Sequence, residues 1–155
     1  MAAAPGVSDA ELAELIGLWD QATDAYISGA ARRYFSLFEH GADYTLMPPY
    51  GGPTVHGFEP SEEGIEETSR FFASGSGRFE LQASYTSGDL VVLVGIERQH
   101  GEVGGRPDQD WSLRISLVFR RTDAGWELVH RHADALVREI PFDHLAVLAR
   151  GGLED

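Results

Sequence analysis

The chain has 155 residues, 43% of them hydrophobic, no cysteine and a formal net charge of -13 at pH 7. One domain with a hydrophobic core is therefore expected, and disulfides, thiolate ligands and thiol nucleophiles are excluded. All 12 basic residues are arginine, which excludes a Schiff-base lysine. The acidic surface disfavours nucleic acid and anionic membranes as partners.

The start of the chain, residues 1–6, contains neither a basic segment nor an apolar one, so it predicts no signal peptide. No apolar run approaches the roughly 20 residues that a bilayer-spanning helix needs. We therefore expect a cytoplasmic protein without membrane association.

Helical periodicity dominates the first half of the chain. A capping box at Ser8–Glu11 begins the first helix. A short second helix is expected to stop at His40, and a third to run from about Ser61 to Phe72. Between them, a short strand over 42–47 leads into a loop, 48–53, in which proline and glycine forbid regular structure.

From Arg78 onward, apolar and polar residues alternate as in strands. Strands are predicted over 78–87, 90–99, 111–121 and 125–134, loops over 73–77 and 101–107, and a short helix over 141–150. Helices followed by a meander indicate an α+β fold. The run Val91–Val94 is apolar on both faces and predicts a central strand, while Gly95 predicts a bulge or bend.

The last two strands are joined by a four-residue turn, which pairs Arg121 with Trp126. If the pairing stays regular, Ser116 lies opposite Arg131 on one face. On the other face, Ile115 lies opposite His132. Glu97, on the neighbouring strand, can join the first face.

Three segments carry a family resemblance: Trp19–Gly29, Tyr44–Gly57, and Leu113–Ser116 together with the final strand. With them the chain resembles the SnoaL-like group of the nuclear transport factor 2-like superfamily, which has the ketosteroid isomerase-like fold. The resemblance covers about residues 9–137 of a single 1–155 domain with a short C-terminal helical tail.

The resemblance implies a curved, mostly antiparallel sheet wrapped around three N-terminal helices, a cone-shaped α+β barrel with an apolar cavity inside. It also implies a homodimer that forms through the sheet face. It does not imply one activity, because the superfamily includes isomerases, dehydratases, epoxide hydrolases, polyketide cyclases and non-catalytic oligomerisation domains.

The loop Pro49–Gly57 is similar to the loop of ketosteroid isomerases, which reads Pro-aromatic-Gly-x-Pro-x-x-His-Gly. In those enzymes the preceding residue is the proton-shuttling aspartate, and here it is Pro48. Their oxyanion hole is a tyrosine and a protonated aspartic acid, at positions that correspond here to Ala22 and Ser116. The resemblance therefore does not imply standard ketosteroid isomerase chemistry.

One candidate site is a polar cluster on the first sheet face. Arg114 and Arg131 can grip an anionic or enolised ligand, with Ser116 beside them, and Glu97 can orient an arginine or act as a base. Similar proteins use this face to line the pocket. The alternative is a cross-strand ion-pair ladder at the solvent edge, which stabilises little.

A second candidate site lies on the opposite face, where His130, His132 and Asp134 are spaced at i, i+2 and i+4. This spacing permits a metal site, or a pair in which Asp134 orients His132 as a general base. The alternative is that the histidines pack in a core or dimer face. We expect no metal.

Two arguments disagree about which face of the sheet points inward. The helices need an apolar partner, which favours the face that carries Trp126 and Leu128, whereas the family geometry places the face that carries Arg114 inside. A bulge can reconcile them by switching sides. We follow the family geometry. Aromatic residues are also candidates for lining the cavity, and we select Trp19 and Tyr50 among Trp19, Tyr26, Phe35, Phe38, Met47 and Tyr50.

We therefore expect a protein that binds a small apolar or aromatic organic ligand. If it is an enzyme, it is a cofactor-free isomerase, cyclase, dehydratase or hydrolase in which Arg114 holds an oxyanion or carboxylate. Glu97 or His132 would move the proton, and Trp19, Tyr50, Ser116 and Arg131 would bind substrate. The alternative is a non-catalytic ligand-binding or dimerisation module.

Overall fold

The computed structural model describes residues 6–153. The start of the chain, for which the sequence predicts no signal peptide, lies outside this range up to residue 5. The described residues form four helices, α1 Asp9–Ile27, α2 Ala31–Ser36, α3 Glu62–Phe71 and α4 Phe142–Ala149. They also form seven strands, β1 Glu39–Met47, β2 Val55–His56, β3 Phe72–Ser87, β4 Leu90–Val103, β5 Arg106–Asp110, β6 Leu113–Thr122 and β7 Gly125–Asp134.

The strands build one curved sheet in the order β2-β1-β7-β6-β4-β3, with β5 paired to β4. Every pair is antiparallel except β1 with β7, which run parallel. The predicted α+β fold with a mostly antiparallel sheet is therefore confirmed. No helix within residues 6–153 is long and apolar enough to cross a membrane.

Helix α1 packs on the inner face of the sheet and covers its β3 edge. Its predicted capping box is present, because Ser8 Oγ accepts from the Glu11 amide at 3.1 Å and the Glu11 carboxylate accepts from the Ser8 amide at 2.8 Å. Two further carboxylates reach the sheet edge. Asp20 accepts from the Phe79 amide at 2.8 Å and Asp24 from the Gly77 amide at 3.1 Å.

The predicted loop over 73–77 is wrong, because β3 runs through it and pairs with β4 as far as Val103. The small residues serve close packing rather than a turn. A Cβ on Gly75 would lie 2.5 Å from the carbonyl oxygens of Ile27 and His100. Part of the predicted loop over 101–107 likewise belongs to β4 and β5.

The second helix ends earlier than predicted, at Ser36, and His40 lies in β1 rather than at a helix end. Strand β4 is central, between β3 and β6, as its two apolar faces predict. Gly95 lies opposite a bulge at Gln82 of β3, and a Cβ there would lie 2.6 Å from the Phe79 ring. The expected irregularity at Gly95 is therefore confirmed.

The pairing of β6 with β7 contains one bulge that changes the faces of the sheet. Phe119 pairs with Leu128 as predicted, but Val118 pairs with His130, so Val129 is an extra residue in β7. Beyond this point every β7 side chain changes sides relative to regular pairing. Arg131 therefore lies opposite Leu117 on the inner face, which also carries the buried Leu128 and Phe119.

Candidate functional site

A cavity of about 460 Å³ lies between the helices and the inner face of the sheet. This volume falls in the range of about 300–1,000 Å³ that is usual for small-molecule sites. Aromatic and aliphatic side chains form most of the wall, from α1, α2, β1, the loop after β1, and β4. The aromatic members are Trp19, Tyr26, Tyr34, Phe35, Tyr44, Tyr50, Phe58, Phe71, Phe72 and Trp111.

The polar centre of the cavity wall is an ion pair between Arg131 and Glu97. Arg131 Nη2 lies 2.5 Å from Glu97 Oε1, and the two side chains are 16% and 5% exposed. The other carboxylate oxygen, Glu97 Oε2, lies 3.2 Å from the hydroxyl of the buried Thr23, which is also 2.9 Å from the Trp19 carbonyl oxygen. The carboxylate is thus fixed on both sides.

The ion pair keeps Arg131 charged inside the protein. Burial by itself lowers the pKa of Arg131, but the Glu97 carboxylate more than offsets this and leaves the pKa above its ordinary value. A single buried charge would be costly, whereas this pair contributes no net charge to the cavity wall.

Three tyrosines surround the ion pair. Burial raises the pKa of Tyr26 and of Tyr34, and it raises that of Tyr44 to about 12, while the charge of Arg131 opposes the rise in all three. The three phenols are therefore neutral at pH 7. All three side chains line the cavity, so their hydroxyls can donate to a ligand.

His40 lies in the cavity wall among aromatic rings. Its ring centroid is 4.1 Å from that of Phe58 and 4.7 Å from that of Tyr44. Burial lowers the pKa of His40 to about 4. The imidazole is therefore neutral at pH 7 and can either donate or accept a hydrogen bond.

The comparisons with known proteins agree with this architecture. A family model described as the SnoaL-like domain matches residues 17–137. The chain belongs to the SnoaL-like domain family. A search of the curated proteins gives no match.

Three solved structures illustrate the proteins that share the fold of this SnoaL-like domain. A proposed dehydratase of the nuclear transport factor 2-like family from Streptomyces avermitilis is 20% identical, with a TM-score of 0.62 over 84% of this chain and 97% of that chain. A calcium/calmodulin-dependent protein kinase II hub homology domain from Chlamydomonas reinhardtii is 17% identical, with a TM-score of 0.61 over 81% and 98%. A proposed aromatic ring hydroxylase from Novosphingobium aromaticivorans is 16% identical, with a TM-score of 0.59 over 83% and 89%. At these identities the likeness shows the fold alone.

The cavity of this SnoaL-like domain contains four of the seven residues that the sequence selects as site residues: Trp19, Tyr50, Glu97 and Arg131. Tyr50 lies on the loop after β1 and is 89% exposed, so it lies at the cavity entrance. The predicted proximity of Glu97 to Arg131 holds, although both lie on the apolar face rather than on the face that carries Arg114.

The other three site residues, Arg114, Ser116 and His132, lie on the outer face and do not line the cavity. The predicted place of Arg114 and Ser116 beside Arg131 is therefore wrong. The physical reason is the bulge at Val129, which turns Arg131 inward while Ser116 pairs with His132 outside. Arg114 makes an exposed two-pronged ion pair with Asp134, with distances of 2.9 and 3.0 Å.

This pairing also removes the partner proposed for His132. The Asp134 carboxylate lies against Arg114 and the Leu136 amide, while His130 Nδ1 lies 2.7 Å from the Thr45 hydroxyl. Within residues 6–153 no group of three or more histidine, aspartate or glutamate side chains has an arrangement that would hold a metal ion.

Sequence reasoning missed His40, Tyr34 and Tyr44 as cavity residues. Strand β1 contained part of the signal, because Tyr44 and Leu46 alternate and so share one face. His40 lies before an irregularity in the pairing of β1 with β7, so alternation does not place it. Ala22, at the tyrosine position of ketosteroid isomerases, is buried. Tyr26 lines the cavity one helical turn beyond it.

A hydrogen-bonded chain of a serine, a histidine and an aspartate lies elsewhere, on the outer face. Ser76 Oγ is 3.0 Å from His100 Nε2, and His100 Nδ1 is 2.8 Å from Asp108. A nucleophilic serine needs backbone donors for the oxyanion, but the adjacent Gly77 amide already donates to Asp24. We therefore regard this chain as a polar contact that orders the β3–β4–β5 hairpins.

The buried ion pair predicts an unequal response to two arginine substitutions. Arg131→Met leaves the Glu97 carboxylate buried without its partner, and we expect a loss of about 3–5 kcal/mol in the free energy of unfolding. Arg114→Ala breaks only an exposed pair and should cost about 0–1 kcal/mol. Urea unfolding measures both.

The double variant Glu97→Met/Arg131→Met is the control, because it removes both charges. It should be more stable than Arg131→Met alone. Equal losses for Arg131→Met and Arg114→Ala would contradict the description of the first pair as buried.

His40 predicts a pH dependence of stability. Its pKa is about 4 in the folded chain and about 6.5 when unfolded, so between these values the unfolded chain binds more protons and stability falls as the pH falls. Over that interval wild type should lose about 1–3 kcal/mol more than His40→Gln. Urea unfolding of both proteins from pH 7 to pH 4 measures this difference, and parallel curves would refute it.

Proposed function

We propose that the protein binds a small, mainly apolar organic molecule in the cavity and transforms it by cofactor-free acid/base chemistry. The observation that carries the proposal is the fixed Glu97–Arg131 pair in the wall of a largely aromatic cavity. The pair supplies a proton acceptor and a cation in surroundings where bulk water does not screen them.

The reaction requires a substrate with an acidic C–H beside a carbonyl group. Glu97 takes the proton, the C–H electron pair moves into the carbonyl, and the resulting oxyanion accepts hydrogen bonds. The neutral hydroxyls of Tyr26, Tyr34 and Tyr44 are the donors for it, with the charge of Arg131 nearby. If the proton returns to another carbon, the reaction is an isomerisation. If the oxyanion instead expels a β-hydroxyl group, which leaves with the proton as water, the reaction is a dehydration.

The relatives give this proposal limited support. One structure with the same fold is named a proposed dehydratase and another a proposed aromatic ring hydroxylase, names that refer to small organic substrates. The missing isomerase groups at Pro48, Ala22 and Ser116 are replaced in this proposal by Glu97 and the tyrosines, which reach the cavity from other positions.

The second candidate function is a non-catalytic ligand-binding module. Each carboxylate oxygen of Glu97 already has a partner, Arg131 or Thr23, and hydrogen bonds to a carboxylate make it a weaker base. A fold relative named a hub homology domain also accords with a binding role.

A hydrogen-exchange experiment separates the two functions. We expect wild type to accelerate the exchange of the α-hydrogens of 2-tetralone in D₂O, and Glu97→Gln to lose about 10²–10⁴-fold of that acceleration while 2-tetralone still binds. Arg114→Ala and His132→Ala are matched controls on the outer face and should keep the acceleration. Mass spectrometry of the ketone measures exchange.

The outcomes are distinct. Binding of 2-tetralone with equal exchange in wild type and Glu97→Gln would refute the acid/base chemistry and favour the binding module. Loss of exchange in Arg114→Ala or His132→Ala would mean that the outer face contains the chemistry.

We propose further that a second copy of the chain covers the outer face of the sheet, which forms a homodimer. Within residues 6–153 no helix packs on this face, and its centre is apolar, with Val92, Val94 and Val118 only half-buried and Tyr85 62% exposed. A two-fold interface brings the same patch of both copies together. A single apolar patch on the chain is therefore enough to form both halves of the dimer interface.

Light scattering after gel filtration tests the dimer. Wild type should have twice the mass of one chain, and Val118→Arg should be monomeric because it places a charge in the centre of the interface on each copy. Ala124→Arg, in the exposed β6–β7 turn, is the control and should remain dimeric. A monomeric wild type would refute the proposal.

A further inference from the structure

Two neighbouring rows of side chains cross the centre of the outer face of the sheet. The strand register places in the first row His56, Thr45, His130, Val118, Val92 and Tyr85, and in the second row Met47, His132, Ser116, Val94 and Ala83. Neither row contains a carboxylate or an arginine. The three histidines are therefore the only side chains in these central rows that gain a positive charge when the pH falls.

Charged side chains border the central rows on both sides. On one side Arg120 pairs with Asp43 at 2.7 Å and with Glu127 at 2.8 Å. On the other side Arg114 pairs with Asp134 at 2.9 Å. The remaining charged groups of that second border are Glu80, Arg78 and Arg98, in which both arginines pair with the glutamate. An uncharged centre inside a polar border is typical of an interface between proteins.

Both histidines on β7 are able to take up a proton. His130 Nδ1 lies 2.7 Å from the Thr45 hydroxyl, which can donate to this nitrogen or accept from it, so the contact suits both states of the ring. His132 is exposed. The carboxylate two residues further along its strand, that of Asp134, already pairs with Arg114. A proton on either ring therefore places a positive charge in the centre of the outer face.

Such a charge opposes the proposed dimer. A two-fold interface through this face brings the histidines of both copies into the same uncharged centre, where protonated rings lose water and repel one another. The rings of separated copies keep their water. Separated copies therefore bind more protons than the dimer does, and a fall in pH favours separation.

We propose that His56, His130 and His132 make the homodimer sensitive to pH, so that it separates into folded single chains as the pH falls from about 7.5 to about 5.5. This inference rests on the proposed homodimer and adds its regulation. The total charge of the chain has the opposite effect. The formal net charge of -13 makes two copies repel each other, and protonation reduces that repulsion, so without the histidines acid would tighten the dimer.

Sedimentation analysis of wild type at the two pH values tests the proposal. The dissociation constant of the dimer should be more than about 100-fold higher at the lower pH, while the far-UV circular dichroism stays unchanged. A dissociation constant that stays the same or falls would overturn the proposal. Dissociation that occurs only together with loss of the far-UV signal would also overturn it, because the chains would then separate by unfolding.

The triple variant His56→Gln/His130→Gln/His132→Gln tests the assignment of the groups. It should be dimeric at the higher pH and have nearly the same dissociation constant at the lower pH. His144→Gln, an exposed position on α4, is the matched control and should keep the pH response of wild type. A response in the triple variant as large as that of wild type would overturn the assignment.

His132→Gln alone covers the risk that the triple variant dimerises poorly at the higher pH. The rise in its dissociation constant should be at least about tenfold smaller than that of wild type, and an equal rise would contradict the proposal. A wild type that is monomeric at the higher pH would refute the homodimer itself. A wild-type dimer that does not respond to pH would refute only the inference in this subsection.

Discussion

The extra residue Val129 in β7 determines which side chains reach the interior of this protein. Before it, Trp126 and Leu128 face the helices, and after it Arg131 does, although regular alternation would put Arg131 outside. An arginine enters the core only if a carboxylate meets it there, and Glu97 of β4 occupies that position. The cavity and the neutral tyrosines near Arg131 are arranged around this one charged pair.

The same residue explains why the sequence predicts the fold better than the site. Helix α1, the central strand β4 and the turn that pairs Arg121 with Trp126 follow from capping, apolar patterning and turn length, all of which are local. A bulge leaves no such signal, because Val129 is an ordinary strand residue. The error it introduces moves every later β7 side chain to the other face, which is why regular alternation places Arg114 and Ser116 with Arg131.

Other errors have a different physical origin. The segment 73–77 looks like a loop because its residues are small, but Gly75 is small because α1 and β4 approach it closely. His40 looks like a helix end because glycine follows it, yet it belongs to β1 and packs against Phe58, which is 18 residues further along the chain. Such packing depends on contacts between distant segments, and local patterning contains no record of them.

The carboxylates of Asp20 and Asp24 give helix α1 a second role. By accepting from the amides of Phe79 and Gly77, they occupy donors at the free edge of β3 that another strand would otherwise recruit. Helix α1 cannot move away from the sheet without leaving these amides unpaired. We therefore expect no ligand to enter the cavity on that side. The loop after β1 differs from that side, because its Tyr50 lines the cavity and is largely exposed to solvent.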